Sequence, residues 1–121
     1  MKRVALLSAL CAACLLALAC SDGSSPTEPG ESPSWLQALI AQIQSEPVTN
    51  PPSAIFSYRY RGETVYFRPS RCCDVASVLY DRDGNVLCAP DGGITGNGDG
   101  RCPDFFAVRS AERLVWRDPR R

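Results

Sequence analysis

Residues 55–68 read IFSYRYRGETVYFR, and this stretch decides the fold because apolar and polar side chains alternate on both sides of a glycine-containing turn. Arg61 and Gly62 form the centre of the turn. Residues 55–60 and 64–68 are therefore predicted to be the two strands of an antiparallel β-hairpin.

The position of the turn fixes which side chains share a face of the hairpin, because neighbouring residues of a strand point to opposite faces. One face carries Phe56, Tyr58, Val65 and Phe67, and the other carries Arg59, Thr64, Tyr66 and Arg68. Together with Arg61 and Arg71, the second face is basic and is opposed only by Glu63. We expect a solvated outer surface there, with contact to anionic envelope polymers as the alternative.

An amphipathic helix is predicted before the hairpin, with Ser32 as the N-cap and Pro33 as the first helical residue. It ends before Pro47 and makes about three turns. Its apolar stripe is predicted to lie in the core rather than to bind a partner. The stripe consists of Trp35, Leu36, Leu39, Ile40 and Ile43.

A second hairpin is predicted from residues 76–80 and 85–88, which flank the turn sequence DRDG. Gly84 can adopt a positive φ in this turn, and the Asp81 carboxylate can accept hydrogen bonds from the turn backbone.

The last predicted elements are short. Asp104 is predicted to cap a helical turn over residues 105–108, and residues 114–116 are predicted to form a closing strand with Trp116 in the core. The sequence thus predicts an α+β fold: a small, disulfide-stapled, strand-rich domain of two β-hairpins and a closing strand, with one N-terminal amphipathic helix.

The first residues of the chain predict export. Lys2 and Arg3 precede an apolar run over residues 4–19, which is short for a membrane-spanning helix and typical of a secretory signal peptide. The run ends in LALAC, so Cys20 resembles the acylated cysteine of a bacterial lipobox. Ser21 at the next position favours the outer membrane.

This interpretation divides the chain into three parts. Residues 1–19 are the signal peptide, residues 20–34 are the lipidated cysteine and a disordered tether, and residues 35–121 are a single stapled domain. The expected location is the bacterial cell envelope, where the lipid holds the protein on a membrane without a spanning helix.

Four cysteines remain in the predicted domain: Cys72, Cys73, Cys88 and Cys102. An even number in an exported chain predicts two disulfides. Adjacent residues of an extended chain point to opposite sides, so we expect the adjacent pair to bind different partners, one Cys88 and the other Cys102. A four-cysteine zinc site and a redox-active adjacent pair are the alternatives, and neither has the expected C-x-x-C spacing.

The glycine-rich stretch DGGITGNGDG, residues 91–100, contains five glycines and predicts a compact ordered loop held at both ends by cysteines. Calcium prefers oxygen ligands, and the candidates here are Asp91, Asn97, Asp99 and, just after the loop, Asp104. No other cofactor is expected.

The composition disfavours several classes of function. The chain has 121 residues and no histidine, so it lacks the side chain of Ser-His and Cys-His catalytic pairs. Its 13 basic and 13 acidic residues balance, so no binding of nucleic acid is expected. We expect a protein that is not an enzyme. The alternative is an envelope enzyme that uses two carboxylates as acid and base, drawn from Asp74, Asp91, Asp99 and Asp104.

Several motifs occur together over residues 35–120: CCD, LYD, CAP, GGITG, GDG-x-C and LVW-x-D-x-R. The joint pattern resembles an uncharacterised bacterial lipoprotein domain, a family of unknown function whose members carry a signal peptide, an acylated cysteine and one small domain. The resemblance implies an architecture and a location, and it implies no activity or ligand.

The sequence therefore predicts a lipid-anchored envelope lipoprotein that is a non-catalytic binding module. Its expected contacts are the membrane, through the N-terminal lipid, and an envelope protein or polymer. The alternatives are a calcium-stabilised module and a protease-inhibitor-like module that inserts the glycine-rich loop into an enzyme cleft.

Overall fold

The computed structural model of the protein describes residues 32–72 and 74–121. Over these residues the chain forms two helices and five strands, and the strands make one antiparallel sheet. The elements are α1 (Ser34–Ser45), β1 (Ala54–Tyr60), β2 (Glu63–Arg68), β3 (Val78–Tyr80), β4 (Val86–Cys88), α2 (Phe105–Val108) and β5 (Ser110–Arg117). The strand order is β4-β3-β2-β1-β5, so the predicted α+β fold is confirmed.

Part of the sequence interpretation falls outside this description. The predicted signal peptide at residues 1–19, the lipidated Cys20 and the tether up to residue 31 lie outside the described residues. No helix among residues 32–72 and 74–121 combines the length and the apolar content needed to cross a bilayer.

The central hairpin has the predicted register: Phe56 pairs with Phe67, and Tyr58 pairs with Val65. Arg61 and Gly62 both have positive φ, 49° and 82°, which suits the right-handed twist of a two-residue hairpin turn.

Two hydrophobic clusters lie on the two faces of the sheet. Short helix α2 covers the first face, where the fully buried Phe105 ring meets Tyr58 and Tyr60 edge-on at centroid distances of 5.5 and 5.4 Å. The whole cluster consists of Tyr58, Tyr60, Val65, Phe67, Leu79, Cys88, Cys102 and Phe105.

Helix α1 covers part of the second face and buries Leu36 and Ile43 against Ile55, so the predicted core role of its apolar stripe is confirmed. Trp35 also meets Tyr66 edge-on at 5.2 Å, and Tyr66 is half-buried, whereas Arg59 and Thr64 beside the turn are exposed. The prediction of a wholly solvated outer face is therefore wrong.

The charges on this face also differ from the prediction that only Glu63 opposes them. Arg61 forms an ion pair with Asp104, and Arg71 forms one with Glu46. Both carboxylates come from other segments of the chain.

The helix begins one residue later than predicted, because Pro33 rather than Ser32 is the N-cap. The Pro33 carbonyl accepts hydrogen bonds from the amides of Leu36 and Gln37 at 3.0 and 3.2 Å. At the other end, the Arg120 guanidinium donates to the Gln44 carbonyl at 2.8 Å. This contact joins the last turn of α1 to the segment after β5.

The second hairpin is confirmed with shorter strands than predicted. Leu79 pairs with Cys88 across it. The Asp81 carboxylate accepts hydrogen bonds from the amides of Asp83 and Asn85 at 2.8 and 2.9 Å, as expected for this turn.

The closing strand β5 is longer than predicted and pairs with β1 at the edge of the sheet. Trp116 packs against the helix-side cluster but is only partly buried, since β5 has a neighbour on one side only. The prediction of a core position for Trp116 is therefore too strong.

Candidate functional site

The loop between β4 and α2 is closed by a disulfide between Cys88 and Cys102, whose Cα atoms lie 6.2 Å apart. The predicted disulfides of Cys88 and Cys102 with the adjacent cysteines at positions 72 and 73 are therefore wrong. Cys88 and Cys102 are 2% and 4% exposed and belong to the same core cluster, whereas Cys72 lies at the surface. Cys73 lies outside the described residues, so a second disulfide stays a prediction.

Backbone hydrogen bonds order the loop from within. The amide of Gly92 donates to the Gly96 carbonyl at 3.1 Å, and the amide of Gly98 donates back to the Gly92 carbonyl at 3.0 Å. The amide of Asp99 donates to the Ala89 carbonyl at 3.0 Å, which joins the two ends of the loop. The predicted compact, ordered loop between two cysteines is confirmed.

Gly98 lets the two arms of the loop approach each other at backbone distance. Its φ is +64°, and a Cβ atom placed on it would lie 1.8 Å from the Ala89 carbonyl oxygen. Only a residue without a side chain fits this position.

Ile94 lies in this ordered loop and is 93% exposed to solvent. It is the one large apolar side chain in the stretch DGGITGNGDG. The sequence analysis missed it, although an isoleucine among glycines and polar residues is a visible signal. Ile94 is the most exposed of the large apolar side chains among the described residues.

The carboxylates near the loop are held by separate partners. The backbone amide of Arg101 donates to Asp99 at 3.0 Å and its guanidinium donates at 2.7 Å, and these bonds lower the pKa of Asp99. The Tyr60 hydroxyl donates to Asp104 at 2.7 Å and the Arg61 guanidinium donates at 2.9 Å, which lowers the pKa of Asp104.

Asp104 occupies the N-cap position of α2, but its side chain makes no capping hydrogen bond. Its predicted capping role is therefore wrong, because its carboxylate is bound to Tyr60 and Arg61 instead.

The remaining predicted site residues differ in their surroundings. Asp74 and Asn97 are exposed, and the Asp91 Oδ1 atom is buried without a hydrogen-bond partner among the described residues. Within residues 32–72 and 74–121, no three acidic, cysteine or histidine side chains are grouped so as to hold a metal ion. Among these residues the acidic calcium candidates Asp91, Asp99 and Asp104 are therefore not grouped in this way. A catalytic pair of carboxylates and a calcium site stay predictions.

Comparison with known proteins identifies a family for most of this fold. Residues 41–118 match the family model described as a domain of unknown function, DUF6970. The chain belongs to the DUF6970 family. No curated protein and no solved structure matches it. The matched residues include all five strands and the disulfide-closed loop.

The DUF6970 domain contains a further polar contact that the sequence analysis missed. The Tyr58 hydroxyl donates to the Glu112 carboxylate at 2.6 Å, and burial together with this bond raises the pKa of Tyr58 to about 12. The Arg109 guanidinium lies 5.0 Å from the Tyr58 ring centroid and 4.6 Å from that of Phe106. These contacts fix the start of β5 to the aromatic cluster.

Proposed function

We propose that this DUF6970 protein is a lipid-anchored bacterial envelope protein whose domain is a non-catalytic binding module. The disulfide-closed loop carries the proposal, because it is ordered by backbone hydrogen bonds and holds Ile94 with 93% of its surface exposed. We propose that Ile94 docks into an apolar pocket of an envelope protein.

A loop that is already ordered loses less conformational entropy when it binds a partner. A flexible loop loses conformational freedom when it binds, at about 0.5–1.5 kcal/mol for each immobilised side chain and more for the backbone. A disulfide and cross-loop hydrogen bonds remove much of that cost before the partner arrives. An isoleucine that becomes fully buried in a partner's pocket then contributes about 1.5–3 kcal/mol of hydrophobic free energy.

The proposed anchor is the acylated Cys20, exposed after removal of residues 1–19, and the proposed destination is the outer membrane. The residues between Cys20 and helix α1, at about 3 Å per residue, would let the domain reach up to roughly 40 Å from the lipid surface. Feeding cells an alkyne-labelled fatty acid tests the anchor: the chain should carry the label, and Cys20→Ala should lose it. Equal labelling of the variant would disprove acylation at this residue.

Site-specific crosslinking tests the docking role of the loop. A photoreactive amino acid replaces Ile94 in the full chain, expressed in the bacterium that encodes it. The matched control places it at Val86, an exposed apolar residue on strand β4. We expect one crosslinked adduct of defined mass from position 94. Its yield should fall when an excess of wild-type protein without the photoreactive residue is added, and it should not fall with an excess of the Ile94→Asp protein. No adduct from position 94, or the same adduct at equal yield from position 86, would overturn the proposal.

Inhibition of envelope hydrolases tests the narrower protease-inhibitor-like version. Inhibition by the wild-type chain and loss of inhibition in Ile94→Asp would identify the partner as an enzyme cleft. A panel of hydrolases that all keep full activity in excess protein would remove this version and leave the docking proposal to the crosslinking result.

A further inference from the structure

A pair of cavities lies at the end of the sheet where β1 begins and where β2 and β5 end. The first has a volume of about 190 Å³ and the second about 200 Å³, and Pro69 and Arg71 line both of them. We call this pair the arginine cavity, defined by Arg68 and Arg71 in the second cavity and by Arg71 and Arg117 in the first.

Charge in the arginine cavity is unbalanced. Glu46 is the carboxylate in contact with it, through an ion pair with Arg71 and a distance of 3.9 Å to the Arg68 guanidinium. Arg117 forms no ion pair with any described residue. The lining residues of the two cavities thus include three arginines, and Glu46 contacts two of them. The surplus positive charge favours an anion.

Arg68 gives the second reason to expect a ligand. Its side chain is 13% exposed, and its Nη2 atom is buried without a hydrogen-bond partner among the described residues. The distance of 3.9 Å to the Glu46 carboxylate is too long for a hydrogen bond. A buried donor without an acceptor costs free energy. An oxyanion in the second cavity, which Arg68 and Arg71 line, would supply the acceptor.

The walls of the first cavity indicate what carries the anionic group. Pro51, Pro52, Ala54 and Phe56 present apolar surface. A buried apolar cavity of about 150 Å³ is large enough for benzene. The first cavity therefore has room for an apolar group of that size next to Arg71 and Arg117, which also line it.

We propose that the arginine cavity binds an organic oxyanion, in which a carboxylate or phosphate group is attached to an apolar group about the size of a benzene ring. The guanidinium groups bind the oxyanion, and the proline-lined wall holds the apolar group. This site shares no lining residue with the disulfide-closed loop, so it does not rest on the proposed docking of Ile94.

Two probes test the proposal on the full chain purified in a nonionic detergent: phenyl phosphate and 3-phenylpropanoate. Binding is followed by chemical shifts of the backbone amides of Ser53, Ala54 and Ser70, with inorganic phosphate and benzyl alcohol as controls. We expect at least one probe to bind more tightly than both controls and to bind less tightly at high salt, since the contact is ionic. The tighter of the two probes then distinguishes a phosphate from a carboxylate ligand.

Two variants on the same strand separate binding from general charge. Arg117→Gln removes a guanidinium that lines the cavity, and Arg113→Gln removes one on β5 that does not line it. Loss of one charge-assisted hydrogen bond predicts binding about tenfold weaker in Arg117→Gln. Arg113→Gln should stay within about twofold of the wild type, as for an exposed charge.

Some results would overturn the proposal. The first is that the chemical shifts of the cavity amides do not change up to roughly 10 mM of either probe. The second is that Arg117→Gln binds the probes as tightly as the wild type, and the third is that Arg117→Gln and Arg113→Gln lose the same affinity. If Arg117→Gln failed to fold, Arg71→Gln would take its place with the same expected loss.

Discussion

Replacing Gly98 by alanine tests whether backbone contact holds the disulfide-closed loop together. Gly98 has a φ of +64°, and an added Cβ atom would lie 1.8 Å from the Ala89 carbonyl oxygen. Gly96 offers the matched control: its φ is +76°, and an added Cβ atom would meet nothing within 4 Å. Both variants force alanine into the left-handed region, and only the first also creates a steric overlap.

The magnitudes separate the two variants. Alanine in the left-handed region costs about 1–2 kcal/mol, so Gly96→Ala should lose about that much stability. The overlap at position 98 adds about 1–3 kcal/mol, which gives a total of about 2–5 kcal/mol for Gly98→Ala. The free energy of unfolding of a small domain is about 5–15 kcal/mol, so this loss is a large fraction of its stability.

The assay is urea unfolding of the full chain under oxidising conditions, followed by fluorescence of Trp35 and Trp116 in the helix-side cluster. Amide hydrogen exchange adds a local measurement at Asp99, whose amide donates to the Ala89 carbonyl. We expect Gly98→Ala to unfold at lower urea than Gly96→Ala and to lose protection at Asp99. Equal urea midpoints and equal protection in the two variants would refute the reasoning.

Three further predictions follow from the contacts of the domain. Replacing both Cys88 and Cys102 by alanine removes a disulfide between residues 14 apart, and urea unfolding should show that the free energy of unfolding falls by about 3 kcal/mol. A peptide map made without reductant should contain the Cys88–Cys102 linkage. A disulfide from Cys88 or Cys102 to one of the adjacent cysteines at 72 and 73 would contradict the structure. Hydrogen bonds from Arg120 lower the pKa of Asp118, so its contribution to stability is present above about pH 4 and is lost as the pH falls through the lowered pKa. Asp118→Asn should therefore flatten the fall of the urea midpoint in acid, and an unchanged acid profile would count against this contact. The pKa of Tyr58 is raised to about 12, so the stability that this group contributes is complete below about pH 10 and is lost toward pH 12. Burial and the bond to Asp104 raise the pKa of Tyr60 as well, so phenolate absorbance should show late ionisation of which Tyr58→Phe removes a part, whereas ionisation of every tyrosine near pH 10 would disprove the shift.

Local patterns were enough to predict the central hairpin. Alternation over residues 55–68 and the Arg61–Gly62 turn determine the pairing of Phe56 with Phe67, because one slip of register would move every apolar side chain to the other face. The apolar stripe of α1 likewise predicted a core position, which Leu36 and Ile43 occupy.

The disulfide pairing depends on contacts between distant segments, and local reasoning predicted it wrongly. The rule that adjacent residues point to opposite sides concerns only residues 72 and 73. The partner of Cys88 is set by strand pairing with Leu79 and by burial beside Phe105, which bring Cys102 into the same cluster. Neither contact is visible from the spacing of the cysteines.

The two candidate sites also differ in whether the sequence could predict them. Ile94 could be found from the sequence, because it is the one large apolar residue in a glycine-rich stretch. The arginine cavity could not, since its walls come from Thr49, Arg71 and Arg117, which lie far apart in the chain. No short motif links them, and only the pairing of Ala54 with Arg117 and of Arg68 with Val78 brings their strands to one end of the sheet.

The order of the loop between β4 and α2 has to be stabilised by something other than hydrophobic burial. Five glycines over residues 91–100 carry a high conformational entropy in the unfolded chain, and the one large apolar side chain among them lies in water. The Cys88–Cys102 disulfide, the cross-loop hydrogen bonds and the hydrogen bonds between Ser77 and Asp91 oppose this entropy. They keep Ile94 in an ordered position that provides no burial within its own domain. Because burial of an isoleucine is worth about 1.5–3 kcal/mol, contact with a partner would release free energy that the isolated domain leaves unused.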